Sequence, residues 1–132
     1  CKIRRQRKMK KEELKYVSST KKRIDNSVNP VVTYYNTFIT SEGKRLVIKD
    51  NKVCNRFGDF IEGEIYEFLI EYGTCWAVSY KNRLVFCWAG NIIMRENGVY
   101  KDVSYNSKKK PLTQDKISAY VEKFFDKNKI PL

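Results

Sequence analysis

Residues 74–104, TCWAVSYKNRLVFCWAGNIIMRENGVYKDVS, carry the clearest fold signal in the sequence. Short runs of β-branched and aromatic residues alternate there with brief polar breaks, which is typical of antiparallel strands joined by tight turns. The predicted turns are Lys81-Asn82, Gly90-Asn91 and Glu96-Asn97-Gly98, and Asn-Gly is the strongest hairpin signal among them. The stretch therefore predicts a meander of four strands, at 74–80, 83–89, 92–95 and 99–104.

The register of the first hairpin, 74–89, decides which residue faces Cys87. A two-residue turn at Lys81-Asn82 places Trp76 opposite Cys87, whereas a three-residue loop over 80–82 places Cys75 there. Only the longer loop separates the bulky side chains from the small ones, and a slip of one residue exchanges the two registers. We favour the three-residue loop. Cys75 and Cys87 are then adjacent free thiols, because Cβ atoms at a hydrogen-bonded pair stand farther apart than a disulfide prefers.

Two more strands are predicted upstream of the meander. Val31–Thr40 (VVTYYNTFIT) is β-branched and aromatic, and 44–49 (KRLVIK) returns after a turn at Ser41-Glu42-Gly43. Asp50-Asn51 breaks the second strand, and 53–57 is interpreted as a short extended piece.

Residues 59–72 are ambiguous between helix and strand. Asp59 is a suitable N-cap with Glu62 as its capping-box partner, and Gly73 suits the position after a helix. At about 100° per residue, one face of such a helix is apolar. That face consists of Ile61, Ile65, Phe68, Leu69 and Tyr72. We predict a helix, and the strand remains the alternative because Gly63 and the Ile, Tyr and Phe content disfavour a helix.

A C-terminal helix is predicted over 113–128. Thr113 is its N-cap, Lys127 and Lys129 lie near the negative end of the helix dipole, and Pro131 stops the helix. Its apolar stripe comprises Ile117, Tyr120, Val121, Phe124 and Phe125.

The positive charge of the chain is concentrated at its N-terminus. The formal net charge is +12, and residues 1–23 carry 11 Lys and Arg against two Glu. Residues 2–17 lack Gly and Pro and are mostly good helix formers, which predicts a helical arm. Because residues 24–100 are close to neutral, we expect the arm to be an appendage that the fold does not need.

These elements define an α+β fold with an antiparallel sheet of about five to six strands. The predicted order is (α)-β-β-α-β-β-β-β-α. The domain organisation that follows is a basic N-terminal helical arm at 1–23, a linker at 24–30 and a single α+β domain at 31–132.

No histidine occurs in the sequence, which removes the commonest general base and metal ligand. Residues 73–79 (GTCWAVS) resemble the segment around the nucleophilic cysteine of the papain family. In that family the cysteine is paired with a histidine, and Cys75 has none to pair with. We interpret the segment as a buried strand and expect no catalytic residue, no metal and no cofactor.

The basic arm is the strongest functional signal. Its cationic residues form the predicted anion-binding site: Lys2, Arg4, Arg5, Arg7, Lys8, Lys10, Lys11, Lys21, Lys22 and Arg23. Their partner is expected to be polyanionic, an anionic membrane surface first and nucleic acid as the alternative. A protein partner remains open, and no small-molecule substrate is indicated.

The function predicted from this pattern is that of a non-catalytic interaction or accessory domain. It is held near an anionic membrane by residues 1–23, with nucleic-acid binding as the alternative and a His-independent enzyme as a third. The expected location is cytoplasmic and membrane-associated. The first residue, Cys1, leaves open a mature lipoprotein that begins at this cysteine.

Overall fold

The fold is an eight-stranded antiparallel sheet with two helices, seen in a computed structural model that describes residues 10–24, 31–71, 74–104, 110 and 112–128. Its elements, in chain order, are β1 (Lys10–Ile24), β2 (Val31–Thr40), β3 (Arg45–Lys49), α1 (Lys52–Phe57), β4 (Ile65–Glu71), β5 (Thr74–Tyr80), β6 (Arg83–Trp88), β7 (Asn91–Glu96), β8 (Val99–Asp102) and α2 (Gln114–Lys127).

The strand order across the sheet is β3-β2-β1-β4-β5-β6-β7-β8. The predicted α+β class with an antiparallel sheet is confirmed, whereas the predicted strand number and element order differ in detail. The described sheet has eight strands and not five to six, because β1 and β4 lie in segments predicted as helices.

The first correction concerns the basic arm. Its described residues are strand and not helix, since β1 pairs with β2 on one side and β4 on the other. Leu14 and Tyr16 face the core while Glu13 and Lys15 face outward, the two-residue period of a strand. Pairing on both edges and burial of Leu14 outweigh the helix propensity of the Lys and Glu residues. Residues 1–9 and most of the predicted 24–30 linker lie outside the described residues.

The second correction concerns 52–72. The helix predicted over 59–72 is wrong, because Ile65–Glu71 is β4, and the extended piece predicted at 53–57 is the helix α1. Asn51 caps α1 by accepting a hydrogen bond from the backbone N–H of Cys54 at 3.0 Å. In β4 the core side chains Tyr66, Phe68 and Ile70 alternate with outward residues. The apolar residues therefore follow a helical spacing because β4 has apolar residues on both of its faces.

The predicted meander is confirmed as β5–β8, and its turns explain the sharp reversals. Asn97 and Gly98 have φ of +53° and +82°, the left-handed pair of a two-residue hairpin turn. Ala89 and Gly90 have φ of +49° and +78° between β6 and β7, so the second turn lies one residue before the predicted Gly90-Asn91.

The favoured register of the β5–β6 hairpin is wrong. Tyr80 pairs with Arg83 across a two-residue turn, and Ala77 pairs with Phe86. On the other side of β5, Leu69 pairs with Ala77 and Ile70 with Cys75, so Trp76 is a bulge residue and its neighbours face opposite sides. Because both faces of this hairpin are buried, bulky side chains are accommodated on either face. The separation of bulky from small side chains, which favoured the three-residue loop, is therefore not required.

The two faces of the sheet carry separate cores. The inner face packs on α1 and contains Leu14, Phe38, Ile48, Val53, Cys54, Phe57, Tyr66, Phe68, Ile70, Cys75, Val78, Val85 and Ile92. The outer face packs on α2 and contains Leu69, Ala77, Leu84, Phe86, Ile93, Ile117, Val121, Phe124 and Phe125. The C-terminal helix is confirmed with its Thr113 cap, and four of its five stripe residues are buried.

Candidate functional site

The outer face of β1, β2 and β3 is not covered by α2, because none of their described residues joins the outer core. Its side chains form cross-strand rows. The first row is Ile65, Lys15, Ile39 and Arg45, the next Ser18, Thr37 and Val47, and the last Thr20, Tyr35 and Lys49. We call this set of ten residues the open face.

The charges described on the open face are all positive. Lys15, Arg45 and Lys49 are exposed. Two acidic residues border it on the same side: the exposed Glu13, two positions before Lys15, and its cross-strand partner Glu67, which forms an ion pair with Lys11 at 3.4 Å. Two exposed apolar side chains lie among the cations: Val47 is 53% exposed and Ile65 is 55% exposed.

The structure places five of the ten predicted anion-binding residues along the length of β1. Lys10 and Lys11 lie at its start beside β4, and Lys21, Lys22 and Arg23 lie at its end beside β2. Given a rise of about 3.3 Å per residue, Lys11 and Lys22 are about 35 Å apart and do not form one cluster. Lys2, Arg4, Arg5, Arg7 and Lys8 lie outside the described residues.

Sequence reasoning missed Arg45, Val47 and Lys49. These residues alternate with the core side chains Leu46 and Ile48, and that alternation is visible in KRLVIK. The sequence did not show that β2 pairs with both β1 and β3. Because of this pairing, Lys15 of β1 and Arg45 of β3 lie on one surface.

A polar cavity of about 510 Å³ lies on the opposite, inner side of the same strands. Its sheet wall contains a hydrogen-bonded chain of side chains. The hydroxyls of Tyr16 and Ser19 are 2.5 Å apart, and Ser19 donates to Oδ1 of Asn36 at 2.6 Å. Asn36 in turn contacts the carboxyl group of Asp50. Asn36 is 4% exposed and is the one buried polar residue in the core of the described chain.

Burial raises the pKa of Asp50 above its ordinary value, and hydrogen bonds from Asn36 and the backbone of Asn51 only partly oppose this. The carboxyl group therefore sits in a less aqueous environment than a surface aspartate. Sequence reasoning did not single out Asn36 or Asp50. The available signal was a polar residue, Asn36, at a core-facing position of an otherwise β-branched and aromatic strand.

The favoured register implied that Cys75 lies beside Cys87, and the observed pairing shows that it does not. Its thiol contacts Cys54 of α1 and lies 3.5 Å from the carbonyl oxygen of Ala77. The contact with Cys54 and burial together raise the pKa of Cys75 well above its ordinary value, which keeps the thiol protonated. Cys54, Cys75 and Cys87 are free cysteines.

Two features are absent from the residues that the structure describes. No group of three or more His, Cys, Asp or Glu side chains there is arranged to hold a metal ion. Neither helix described is long and apolar enough to cross a membrane.

The class of protein that these features define is an α+β domain whose half-covered antiparallel sheet has an open basic face on one side and a polar cavity on the other. No protein-family model matches the chain, and no curated protein or solved structure matches it either.

Proposed function

We propose that this chain is a non-catalytic interaction domain that rests on an anionic membrane surface through its open face. The observation that carries the proposal is the surface shared by Lys15 of β1 and by Arg45 and Lys49 of β3, two strands that are joined through β2. The further basic residues of 1–23 increase the positive charge of the chain, which strengthens its long-range attraction to an anionic surface.

Electrostatics supports an anionic partner. A basic side chain close to an anionic bilayer contributes about 1 kcal/mol, and the three cations of the open face together contribute up to about 3 kcal/mol. The attraction is long-ranged on the scale of a Debye length and weakens as salt is added. The three cations can approach a bilayer together because they project from the same side of the sheet.

The apolar residues of the open face favour a membrane over nucleic acid. Val47 lies between Arg45 and Lys49 on the outward side of β3, and Ile65 lies beside Lys15. Aliphatic side chains flanked by cations are the composition of surfaces that enter the boundary between headgroups and acyl chains. A phosphate backbone offers no comparable gain to Val47 or Ile65, because its contacts are made by cations and hydrogen-bond donors.

Vesicle co-sedimentation tests the proposal. The wild-type chain is expected to bind vesicles of phosphatidylcholine with phosphatidylserine, and to bind neutral phosphatidylcholine vesicles much more weakly. The triple variant Lys15→Ala, Arg45→Ala, Lys49→Ala is expected to lose about a hundredfold in affinity for the anionic vesicles. The matched control Lys52→Ala, Lys81→Ala, Lys101→Ala removes three exposed lysines of α1, the β5–β6 turn and β8. It is expected to lose much less.

A second substitution separates membrane from nucleic acid. Val47→Thr keeps the β-branched shape and the charge but makes the exposed side chain polar. It is expected to weaken vesicle binding and leave binding to single-stranded RNA unchanged. The proposal is overturned if the triple variant and its control bind vesicles equally well. It is also overturned if RNA binds far more tightly than anionic vesicles at the same salt concentration.

A further inference from the structure

The polar cavity has features of a ligand site that are independent of the open face. It lies between the inner side of β1–β3 and residues 54–60, which comprise most of α1 and the residues that follow it. Its volume of about 510 Å³ falls in the range of small-molecule sites. The residues that line it are Tyr16, Ser19, Tyr34, Asn36, Asp50, Cys54, Asn55, Gly58, Asp59 and Phe60.

One wall of the cavity is a row of hydrogen-bonding groups supplied by the sheet. Tyr16, Ser19, Asn36 and Asp50 are linked side chain to side chain, so their donors and acceptors are held in place. The backbone supports this arrangement, since the N–H of Asp50 donates to the carbonyl oxygen of Tyr34 at 2.8 Å. A hydroxyl and a carboxylate each keep further hydrogen-bonding capacity after these contacts.

The facing side of the cavity contributes one aromatic ring, that of Phe60, beside the polar Asn55 and Asp59. The ring of Phe60 lies 5.5 Å from that of Tyr16 and 5.6 Å from that of Phe57, which places it in the inner aromatic cluster. Tyr34 lines the cavity as well and is 45% exposed, although large apolar side chains are usually covered. The cavity thus combines ring surfaces with a fixed set of polar atoms.

We propose that this cavity binds a small polyhydroxylated ligand, of the size of a monosaccharide or an inositol. A sugar ring matches both walls, because its hydroxyls pair with amide, carboxylate and hydroxyl groups while its C–H face packs on an aromatic ring. A purely apolar ligand would exclude water without filling the hydrogen-bonding capacity that the Ser19 hydroxyl and the Asp50 carboxyl keep after their contacts with Asn36, at a cost of about 1–3 kcal/mol for each unsatisfied group. Among the described lining residues the charged groups are Asp50 and Asp59, which disfavour a phosphate or other anion.

The location of the cavity indicates a free ligand and not a lipid headgroup. The open face and the cavity are on opposite sides of β1–β3, as the alternation of Ile48 inward and Val47 outward shows. A headgroup of the bilayer that lies against the open face therefore cannot reach the cavity through the sheet. The exclusion of a headgroup rests on the proposed membrane function, whereas the assignment of the cavity to a polyhydroxylated ligand does not.

Ligand-observed NMR and thermal unfolding of the full chain with D-glucose, D-galactose, D-mannose and myo-inositol test the inference. At least one of these probes is expected to bind and to raise the melting temperature. Ser19→Ala and Tyr34→Phe act on exposed and rim positions, which limits the risk of unfolding. Each is expected to weaken binding, with Ser19→Ala losing about fivefold or more for one hydrogen bond.

The matched control is Thr37→Ala, on the outward side of β2, which is expected to leave sugar binding unchanged. A second part of the experiment presents inositol headgroups on vesicles. These headgroups are expected not to bind in the cavity. The inference is overturned if none of the four probes binds, or if Ser19→Ala binds as tightly as Thr37→Ala. It is also overturned if choline, which is a cation and not a polyhydroxylated ligand, binds to the protein and the four probes do not. The vesicle results above stand or fall separately, because they concern other residues.

Discussion

The rings of Phe86 on β6 and Phe124 on α2 stack with their centroids 4.1 Å apart and their planes 19° apart. Both residues are fully buried. Directly opposite Phe86 in the sheet is Ala77, whose small side chain takes little of the space beneath the helix. The two-residue turn at Lys81-Asn82 thus places a small residue beside a large one at the point where α2 packs on the sheet.

Truncating Phe124 tests this contact. Phe124→Ala is expected to lower the free energy of unfolding by about 3–5 kcal/mol, because a fully buried ring is removed from a packed core. Chemical denaturation monitored by circular dichroism measures the loss. The neighbouring exposed Lys123→Ala is expected to change stability by less than about 0.5 kcal/mol. A similarly small loss for Phe124→Ala would contradict the packing of α2 described here.

Removing residues 1–23 is expected to abolish cooperative unfolding, contrary to the view of this segment as a dispensable arm. The deletion removes nearly all of β1, which bridges β2 and β4 and contributes Leu14 to the inner core. A point substitution gives a graded measure of the same contact. Leu14→Ala is expected to cost about 2–5 kcal/mol and Lys15→Ala close to nothing. A deletion variant that still melts cooperatively would overturn the central position of β1.

Asp102 provides a pH-dependent prediction. Burial acts to raise its pKa, but hydrogen bonds from the Ser104 side chain and from the backbone N–H groups of Ser104 and Leu112 outweigh it and lower the pKa below its ordinary value. A depressed pKa stabilises the fold above the unfolded-state value, and this contribution is lost as the pH falls through the folded-state value. Asp102→Asn is therefore expected to be less stable than wild type at neutral pH.

In acid the two proteins are expected to converge, because protonated Asp102 loses the same advantage. Thermal melts across the range from neutral to acidic pH measure the difference. Asp115, an exposed carboxylate at the start of α2, supplies a comparison substitution. A deficit of Asp102→Asn that stays constant down to the lowest pH would assign its effect to packing and not to charge.

Cys75 is expected to resist thiol reagents in the folded protein. Its side chain is 1% exposed and its pKa is raised, so that both access and thiolate formation are disfavoured. Iodoacetamide labelling followed by mass spectrometry is expected to modify Cys75 only after denaturation. Cys87 is half-buried and is expected to react sooner. Fast stoichiometric labelling of native Cys75 at neutral pH would indicate an activated thiol after all.

The sequence by itself determined the elements whose signals are local. Asn97-Gly98 requires left-handed backbone and specifies a hairpin wherever the strands pair, and Thr113 with the stripe through Phe125 specifies a helix end and its buried face. The strands at 31–40 and 45–49 are likewise predictable from the sequence alone, because their β-branched and aromatic content is a local signal.

Only the tertiary structure decided β1, β4 and the faces of the sheet. Lys10–Ile24 begins with good helix formers, and the apolar residues around Ile65–Glu71 follow a helical spacing. Each segment is a strand because the other, with β2 and β5, offers backbone partners on both edges. The register of β5 depends likewise on two cores that bury both of its faces. The open face and the polar cavity unite residues far apart in the chain, such as Lys15 with Arg45 and Ser19 with Asn36. Strand pairing is a long-range interaction, and no local pattern in one segment specifies which segment lies beside it.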